Sequence, residues 1–340
     1  MNEIEIGNRS VGENHPLYII AEGGLTNWGD VDLAKQQVDI AMAAGADAIK
    51  FQAQSTEELV SRRISPYWYK RLKYKELSYD ELKVLNDYCA IRNIDFSVTA
   101  HTYKDLEFVT QKLDMAFLKI GSGESLNHSF LKAASHCGKP LFVSVGLHFD
   151  EEEILKTVEI LEASSCKEFA ILFCNTVYPT PVGAVNLPII SKLKNLLPYP
   201  IGYSDHTVGT HIPLAAVVLG AKIVEKHISF NRRDRRSFDC VVSCEADEYY
   251  DFVSQLRDVE AALTLDIEQR KKMLKEARSW ARQSIMAAND LPEGKKLTRE
   301  DIICKRPGDG LGPHEVENVL GKTLCTSVRK DEYILLELLQ

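Results

Sequence analysis

The sequence predicts an α/β protein built as a (β/α)8 TIM barrel, followed by a small mostly β domain of irregular structure. Three observations carry that expectation. Between residues 17 and 265, short β-type apolar runs alternate with helix-length amphipathic stretches. The runs number eight, and about 250 residues is the usual span of that barrel. The first strand-to-helix turn, Glu22-Gly23-Gly24-Leu25, does not fit the G-x-G-x-x-G spacing that favours a doubly wound open sheet.

The expected strands are 17–21, 48–52, 95–99, 117–120, 141–144, 170–174, 200–203 and 222–225. A helix is expected over 31–44, where Val31, Ala34, Val38, Ala41 and Met42 recur at helical spacing and Gly45 can cap the end. Another, over 212–220, separates the last two strands. The domain division follows: barrel over 1–265, a Lys-, Arg- and Glu-rich linker helix over 266–284, and a small domain over 285–340. In that last segment short β-type pieces are punctuated by Leu291-Pro292-Glu293-Gly294 and Pro307-Gly308-Asp309-Gly310. So few residues make a marginal domain alone, one that leans on the barrel or on another subunit.

Composition narrows the function classes. The 340 residues carry 41 basic and 49 acidic side chains, a net charge of −8, which argues for solubility and against a nucleic-acid partner. The dense basic run Arg232-Arg233-Asp234-Arg235-Arg236 reads as a solvated loop in the first instance. Eight scattered cysteines without a C-x-x-C pair fit a reducing compartment. Residues 1–7 are acidic and mixed, unlike a signal peptide, and no apolar run reaches the ~18 residues of a membrane span. The expectation is a cytoplasmic protein acting on small molecules, with no membrane partner.

Barrel enzymes place their chemistry just beyond the carboxyl ends of the strands. Those positions hold Glu22; Lys50 and Gln52; Thr99 and His101; Lys119, Ser122 and Glu124; Ser144; Asn175, Thr176 and Tyr178; Ser204, Asp205 and His206; Glu225 and His227. His206 lies in Gly202-Tyr203-Ser204-Asp205-His206-Thr207, and His227 ends Glu225-Lys226-His227. Neighbouring strands would point both imidazoles into one cavity, an open metal site, or else they are two hydrogen-bonded loop histidines. Lys50 and Lys119 interrupt apolar strands, and a buried lysine needs a partner. That partner is a carboxylate such as Glu22, or an anionic ligand with Gly121-Ser122-Gly123 offering backbone N–H groups to a phosphate. An imine-forming lysine is the third reading.

Taken together, these pieces resemble the sialic acid synthase (N-acetylneuraminate synthase) family. The matching segments are Ile20-Ala21-Glu22, Ala44-Gly45-Ala46-Asp47-Ala48-Ile49-Lys50-Phe51-Gln52, Lys119-Ile120-Gly121-Ser122-Gly123-Glu124, Tyr178-Pro179-Thr180-Pro181, and the two histidine segments. In the tail, Ala287-Ala288-Asn289-Asp290-Leu291-Pro292-Glu293-Gly294 and Lys305-Arg306-Pro307-Gly308 resemble that family's antifreeze-like (SAF) domain.

The resemblance implies an enzyme joining phosphoenolpyruvate (PEP) to an N-acylated hexosamine, N-acetylmannosamine first, giving a nine-carbon sialic acid and phosphate. It implies PEP contacts at Lys50, Thr99, Lys119, Ser122 and Ser144, and hexosamine contacts at Tyr178, Asp239 and Arg306. His206 and His227 would hold a divalent metal, Mn²⁺ first, with Mg²⁺ and Co²⁺ as alternatives. Glu22, Glu124 and Glu225 are the expected acids and bases. Gln52, Thr176, Ser204 and Asp205, read from the strand ends, complete the expected substrate-binding set. The family's domain-exchanged homodimer would bring Arg306 into the partner's site.

This chain departs from the family pattern at Thr26-Asn27-Trp28-Gly29-Asp30, at Ala100-His101 where Pro-Phe is usual, at Thr176-Val177, and at Arg235-Arg236-Ser237-Phe238-Asp239. The departures fall where an acceptor sugar would lie. Alternatives are therefore a legionaminic- or pseudaminic-type synthase using a 2,4-diacetamido-trideoxyhexose, a catalytically idle sugar-binding barrel, and a lysine-imine aldolase.

Overall fold

The computed structural model describes residues 3–7, 9–164, 166, 168–264 and 266–340. Residues 1, 2 and 265, which bound the expected barrel segment, lie outside them. The chain divides into two compact units, Met1–Leu263 and Thr264–Gln340.

In the first unit eight parallel strands close into a barrel. They are β1 (Tyr18–Glu22), β2 (Ala48–Ala53), β3 (Asp95–Ala100), β4 (Phe117–Ile120), β5 (Leu141–Ser144), β6 (Phe169–Cys174), β7 (Ile201–Asp205) and β8 (Ile223–His227). Each pairs with its sequence neighbours, and β8 closes on β1 with His227 opposite Glu22. All eight expected runs are strands. The last two reach two residues farther than expected, so His227 is the terminal residue of β8 and His206 follows β7 directly.

The helix Val31–Ala44 begins where the Asp30 side chain accepts the backbone N–H groups of Asp32 and Leu33. It ends at Gly45, whose φ of 82° is the left-handed conformation that glycine adopts without a Cβ clash. Its buried face, Ala34, Val38 and Ala41, packs in the layer between strands and outer helices.

Alternation along the strands sorts the barrel interior into two layers. The lower layer is apolar: Tyr18, Ile20, Ala48, Phe117, Phe142, Ala170, Leu172 and Ile223 form one buried cluster. Phe117 and Phe142 stack at 4.2 Å, and each fully buried ring contributes about 1.5–3 kcal/mol of transfer free energy. Ile4, Ile6 and Val11, from an antiparallel hairpin of Ile4–Ile6 with Arg9–Val11, belong to the same cluster and plug the barrel floor. This plug lies before the first expected strand. Above the apolar layer, the next inward positions are Glu22, Lys50, Thr99, Lys119, Ser144, Ser204 and Glu225. The barrel is therefore a packed core with a polar cup on top.

The second unit holds the helix Ile267–Ala281 and two antiparallel strands, β9 (Ser284–Ala287) and β10 (Ile302–Lys305). Its core gathers Ile285, Ala287, Leu291, Leu297, Ile302, Val316, Val319, Leu324, Val328 and Ile334. The helix stops three residues short of the expected 266–284 segment, because Ser284 is already in β9. There its hydroxyl donates to the Pro307 carbonyl and accepts the Gly310 N–H. Among the described residues no helix is long and apolar enough to cross a membrane.

Candidate active site

The polar cup opens into a cavity of about 290 Å³ lined by groups from nearly every strand end. Of the expected site residues, Lys50, Gln52, Thr99, Lys119, Ser122, Glu124, Ser144, Thr176, Tyr178, Ser204, His206, Glu225, His227 and Asp239 line it. Glu22 stands just beneath, within the same network. Such convergence from segments far apart in sequence requires the inward register of every strand to be correct at once. Gly202 secures that register on β7, since a Cβ there would lie 2.8 Å from Ile223 Cβ and 2.9 Å from Leu172 Cγ.

Two lysines and two glutamates meet at the bottom of the cup. Lys50 pairs with Glu22 and donates to Thr99 Oγ1 at 2.9 Å, with Glu225 Oε1 3.9 Å away. Lys119 donates to both Glu225 oxygens, at 3.1 and 3.0 Å, and Ser204 donates to Glu225 Oε1 at 2.9 Å. Gln52 donates to Glu22 Oε1 at 3.0 Å. All four charged groups are at least 97% buried. For Lys50 and Glu225 burial alone favours the neutral forms, but mutual attraction wins. Burial pushes the Lys50 ammonium down, and Glu22 and Glu225 raise it to above its ordinary value. Burial pushes the Glu225 carboxyl up, and Lys119 and Lys50 hold it below the usual carboxylate range. The cup thus stores fixed, opposed charges in a region of low dielectric, where they act strongly on a bound ligand.

Along the β6–β7 rim His206 and Tyr178 are neutral. Burial, followed by the neighbouring His227, holds the His206 imidazole down to about 3. Its Nδ1 lies 2.8 Å from the Asn175 carbonyl and its Nε2 2.9 Å from the Tyr178 hydroxyl. A neutral ring donates from Nδ1 to that carbonyl, which leaves the Nε2 lone pair facing the tyrosine and the cavity. Burial pushes the Tyr178 phenol well above its ordinary value, so it stays protonated. The His206 and His227 rings lie 5.4 Å apart between centroids. His227 Nδ1 is buried without a hydrogen-bond partner.

These features suit a divalent metal held by two imidazoles. A ring oriented through Nδ1–H on a backbone carbonyl is the usual support of a histidine ligand, and an orphaned buried nitrogen on the second ring gains a partner. Among the described residues no three His, Cys, Asp or Glu side chains are grouped to hold a metal, so further coordination positions would fall to substrate or water.

Not every expected residue faces the cavity. Asp205 does not: it is the outward residue of β7, fully buried behind the barrel wall. There it accepts Lys226 Nζ at 2.5 Å, the Tyr203 hydroxyl at 3.0 Å and the Thr207 N–H at 3.1 Å. Its neighbours Ser204 and His206 point inward, so adjacency misled where strand alternation would have decided. Arg306 belongs to the second unit, its guanidinium 5.7 Å from the Trp280 ring centroid. The arginine run is largely engaged with protein: Arg232 pairs with Glu248 at 2.6 Å, Arg236 pairs with Asp234 at 2.6 Å, and Arg236 covers the Trp28 ring at 4.1 Å.

Lining residues outside the expected set are Leu25, His101, Leu147 and Cys174 with the Gly121 and Gly123 backbone. His101 was visible as a polar strand-end residue and Gly121 and Gly123 as backbone N–H donors, whereas Leu25, Leu147 and Cys174 gave no such signal. Gly24 adopts φ +51°, and a Cβ there would lie 3.0 Å from Asp239 Oδ2, 3.1 Å from His227 Nδ1 and 3.3 Å from Glu22 Oε1. Only glycine lets those three groups approach one point.

A model of the NeuB family matches residues 37–268 and a SAF domain model matches residues 282–340. The chain is 33% identical to the N-acetylneuraminate-9-phosphate synthase of Homo sapiens, covering 97% of this chain and 94% of that protein. It is 30% identical to the N,N'-diacetyllegionaminic acid synthase of Legionella pneumophila, covering 97% of each. Among solved structures, the N-acetylneuraminic acid (sialic acid) synthetase of Leptospira borgpetersenii, in complex with citrate, superposes with a TM-score of 0.71 at 32% identity. That match covers 81% of this chain and 96% of the other.

Proposed function

The chain belongs to the NeuB family, with a SAF domain at its carboxyl end, and from that premise we propose that it condenses PEP with an N-acylated hexosamine, N-acetylmannosamine first. The products are a nine-carbon sialic acid and inorganic phosphate. The observation that carries this reading is the buried Lys50–Glu22 and Lys119–Glu225 network inside the cavity that both histidines line. An enol phosphate with two anionic ends suits two lysines whose present counter-ions can rotate or share them. A neutral sugar aldehyde suits the rim of hydroxyl, imidazole and amide groups.

In this scheme Lys50 and Lys119 bind the phosphate and carboxylate of PEP, with Thr99, Ser122 and Ser144 adding hydroxyl donors. His206 and His227 would hold a divalent metal, Mn²⁺ first, which would supply Lewis-acid polarisation of the aldehyde. The C3 carbon of PEP attacks the aldehyde carbon, whose π electrons pass to its oxygen. Water adds to the cationic C2, and one of its protons passes to the alkoxide on the former aldehyde oxygen, which becomes the product hydroxyl. The C2–O bond to phosphorus then breaks, its electron pair leaving with phosphate as the C2 hydroxyl loses its proton to form the ketone. Glu22 and Glu225 are assigned to the water, Glu124 to proton balance at a ligand hydroxyl, and Tyr178 and Asp239 to the acceptor. Arg306 is assigned to the acceptor site of a partner protomer in a homodimer.

The raised Lys50 ammonium disfavours the imine reading, which needs a free amine. A diacetamido-hexose acceptor is the second reading, favoured by the similarity to a legionaminic acid synthase. The test is phosphate release from PEP with Mn²⁺, offering N-acetylmannosamine and then 2,4-diacetamido-trideoxyhexoses. Acceptor-dependent release abolished by EDTA supports the proposal, and the productive sugar fixes the product. No release with any acceptor, from folded metal-loaded protein, sinks it. Mixing Arg306→Ala with His206→Ala protein tests the dimer: recovered activity supports shared sites, and none after confirmed exchange counts against them.

A further inference from the structure

His101 is a cavity group that the scheme above does not use. It follows β3 directly, at the position where the chain carries Ala100-His101. Its Nδ1 lies 3.1 Å from Glu124 Oε1. Burial pushes the Glu124 carboxyl up, but His101, a backbone hydrogen bond and Lys119 together outweigh it and hold Glu124 below its usual range, so it accepts as a carboxylate. Glu124 folds back over Gly121: a Cβ on Gly121 would lie 2.4 Å from Glu124 Oε2 and 3.6 Å from His101 Cε1. The glycine is what lets this dyad form.

The other ring nitrogen, Nε2, is buried and has no hydrogen-bond partner. An orphaned polar atom in a cavity wall costs free energy until a ligand satisfies it. His101 shares that wall with Thr99, Lys119, Ser122 and Gly123, all from the β3–β4 side. The metal-type histidines and Tyr178 come from β6–β8, across the cup. With Nδ1 engaged by the Glu124 carboxylate, Nε2 is the ring position left to meet a bound phosphate, and an N–H there makes a charge-assisted hydrogen bond.

We propose that His101, oriented by Glu124, is a substrate-contacting residue that donates from Nε2 to the phosphate of PEP. This deepens the proposed function and rests on it only for the identity of the anion. The family resemblance places Phe where His101 stands, so His101→Phe keeps a fitting ring and removes the donor.

The experiment is calorimetric titration of PEP into the full chain with Mn²⁺ and no acceptor, for wild type, His101→Phe, His101→Gln and Glu124→Gln, each checked by thermal melting. A charge-assisted bond predicts PEP affinity lowered about 10- to 100-fold in His101→Phe. His101→Gln, which retains an N–H donor, recovers part of the loss, and Glu124→Gln weakens PEP in the same direction. In turnover the PEP KM rises while the acceptor KM stays within about twofold. PEP affinity unchanged in His101→Phe overturns the assignment, as does a loss confined to the acceptor KM. Should His101→Phe fail to fold, unchanged PEP affinity in His101→Gln and Glu124→Gln overturns it equally. Wild type that binds no PEP overturns the parent reading and this one together, which separates the two kinds of failure.

Discussion

Two ion-pair networks meet at the carboxyl ends of β7 and β8, one on each face of the sheet. On the inner face Glu225 holds Lys119 and Ser204 and borders the cavity. On the outer face Asp205 holds Lys226, which also donates to the Thr207 carbonyl at 2.8 Å, sealed between strand and helix. Both are lysine–carboxylate pairs, and Ser204 and Glu225 of the inner network are adjacent in sequence to Asp205 and Lys226 of the outer one. One network has a cavity in which its charges can be traded for a ligand's, and the other has none. The inner pair is therefore assigned to substrate and the outer pair to bracing the turn that carries His206. Position relative to the strand pleat, rather than proximity to a signature residue, decides which is which.

The largest expected effect lies on the outer face. Lys226→Met leaves Asp205 buried and uncompensated and should cost about 3–5 kcal/mol of stability, read by chemical denaturation. The paired change Asp205→Leu with Lys226→Met should recover most of that loss, since a sealed ion pair and an apolar pair are often close in energy. If the double variant is as unstable as the single, the pair does more than brace. On the inner face, Lys119→Met should lower kcat about 100- to 1,000-fold in the phosphate-release assay. Retention of most activity would remove Lys119 from the substrate's charge-binding set.

Gly24→Ala should cost about 1–2 kcal/mol for its left-handed backbone, and should also raise the acceptor KM because the new Cβ crowds Asp239 and His227. A purely thermodynamic effect, with KM unchanged, would place the acceptor elsewhere. The last effect is on pH dependence. An unfolded histidine takes up a proton near pH 6.5, but folded His206 refuses one until about pH 3. Protons therefore favour the unfolded chain, and stability measured with chelator present should decline as pH falls from about 6.5. His206→Gln should flatten that decline, and an unchanged slope would assign it to other groups.

Much of the barrel was legible because each strand is a short apolar run ending in a polar residue, and every expected run is a strand. The floor plug was not, because Ile4-Glu5-Ile6 alternates over only one three-residue strand that lies before the repeat. Within the site, Lys50, Lys119, His206 and His227 announced themselves as charged or imidazole groups at strand ends. Asp205 looked equivalent to Ser204 and His206, yet alternation turns it outward, and only the strand's full extent to Asp205 makes that parity certain. The His101–Glu124 pairing joins two neighbouring β/α loops, and a sequence cannot show which rotamers meet across them. Leu25, Leu147 and Cys174 shape the cavity by packing alone.

Carbon–carbon bond formation is tested most directly by following the carbon of PEP. With [3-¹³C]PEP, Mn²⁺ and the productive N-acyl hexosamine, the label is expected at C3 of a nine-carbon 2-keto acid, bonded to the former aldehyde carbon in the ¹³C spectrum. Label recovered only as pyruvate, or left in PEP with every acceptor, would contradict carbon–carbon bond formation in this cavity.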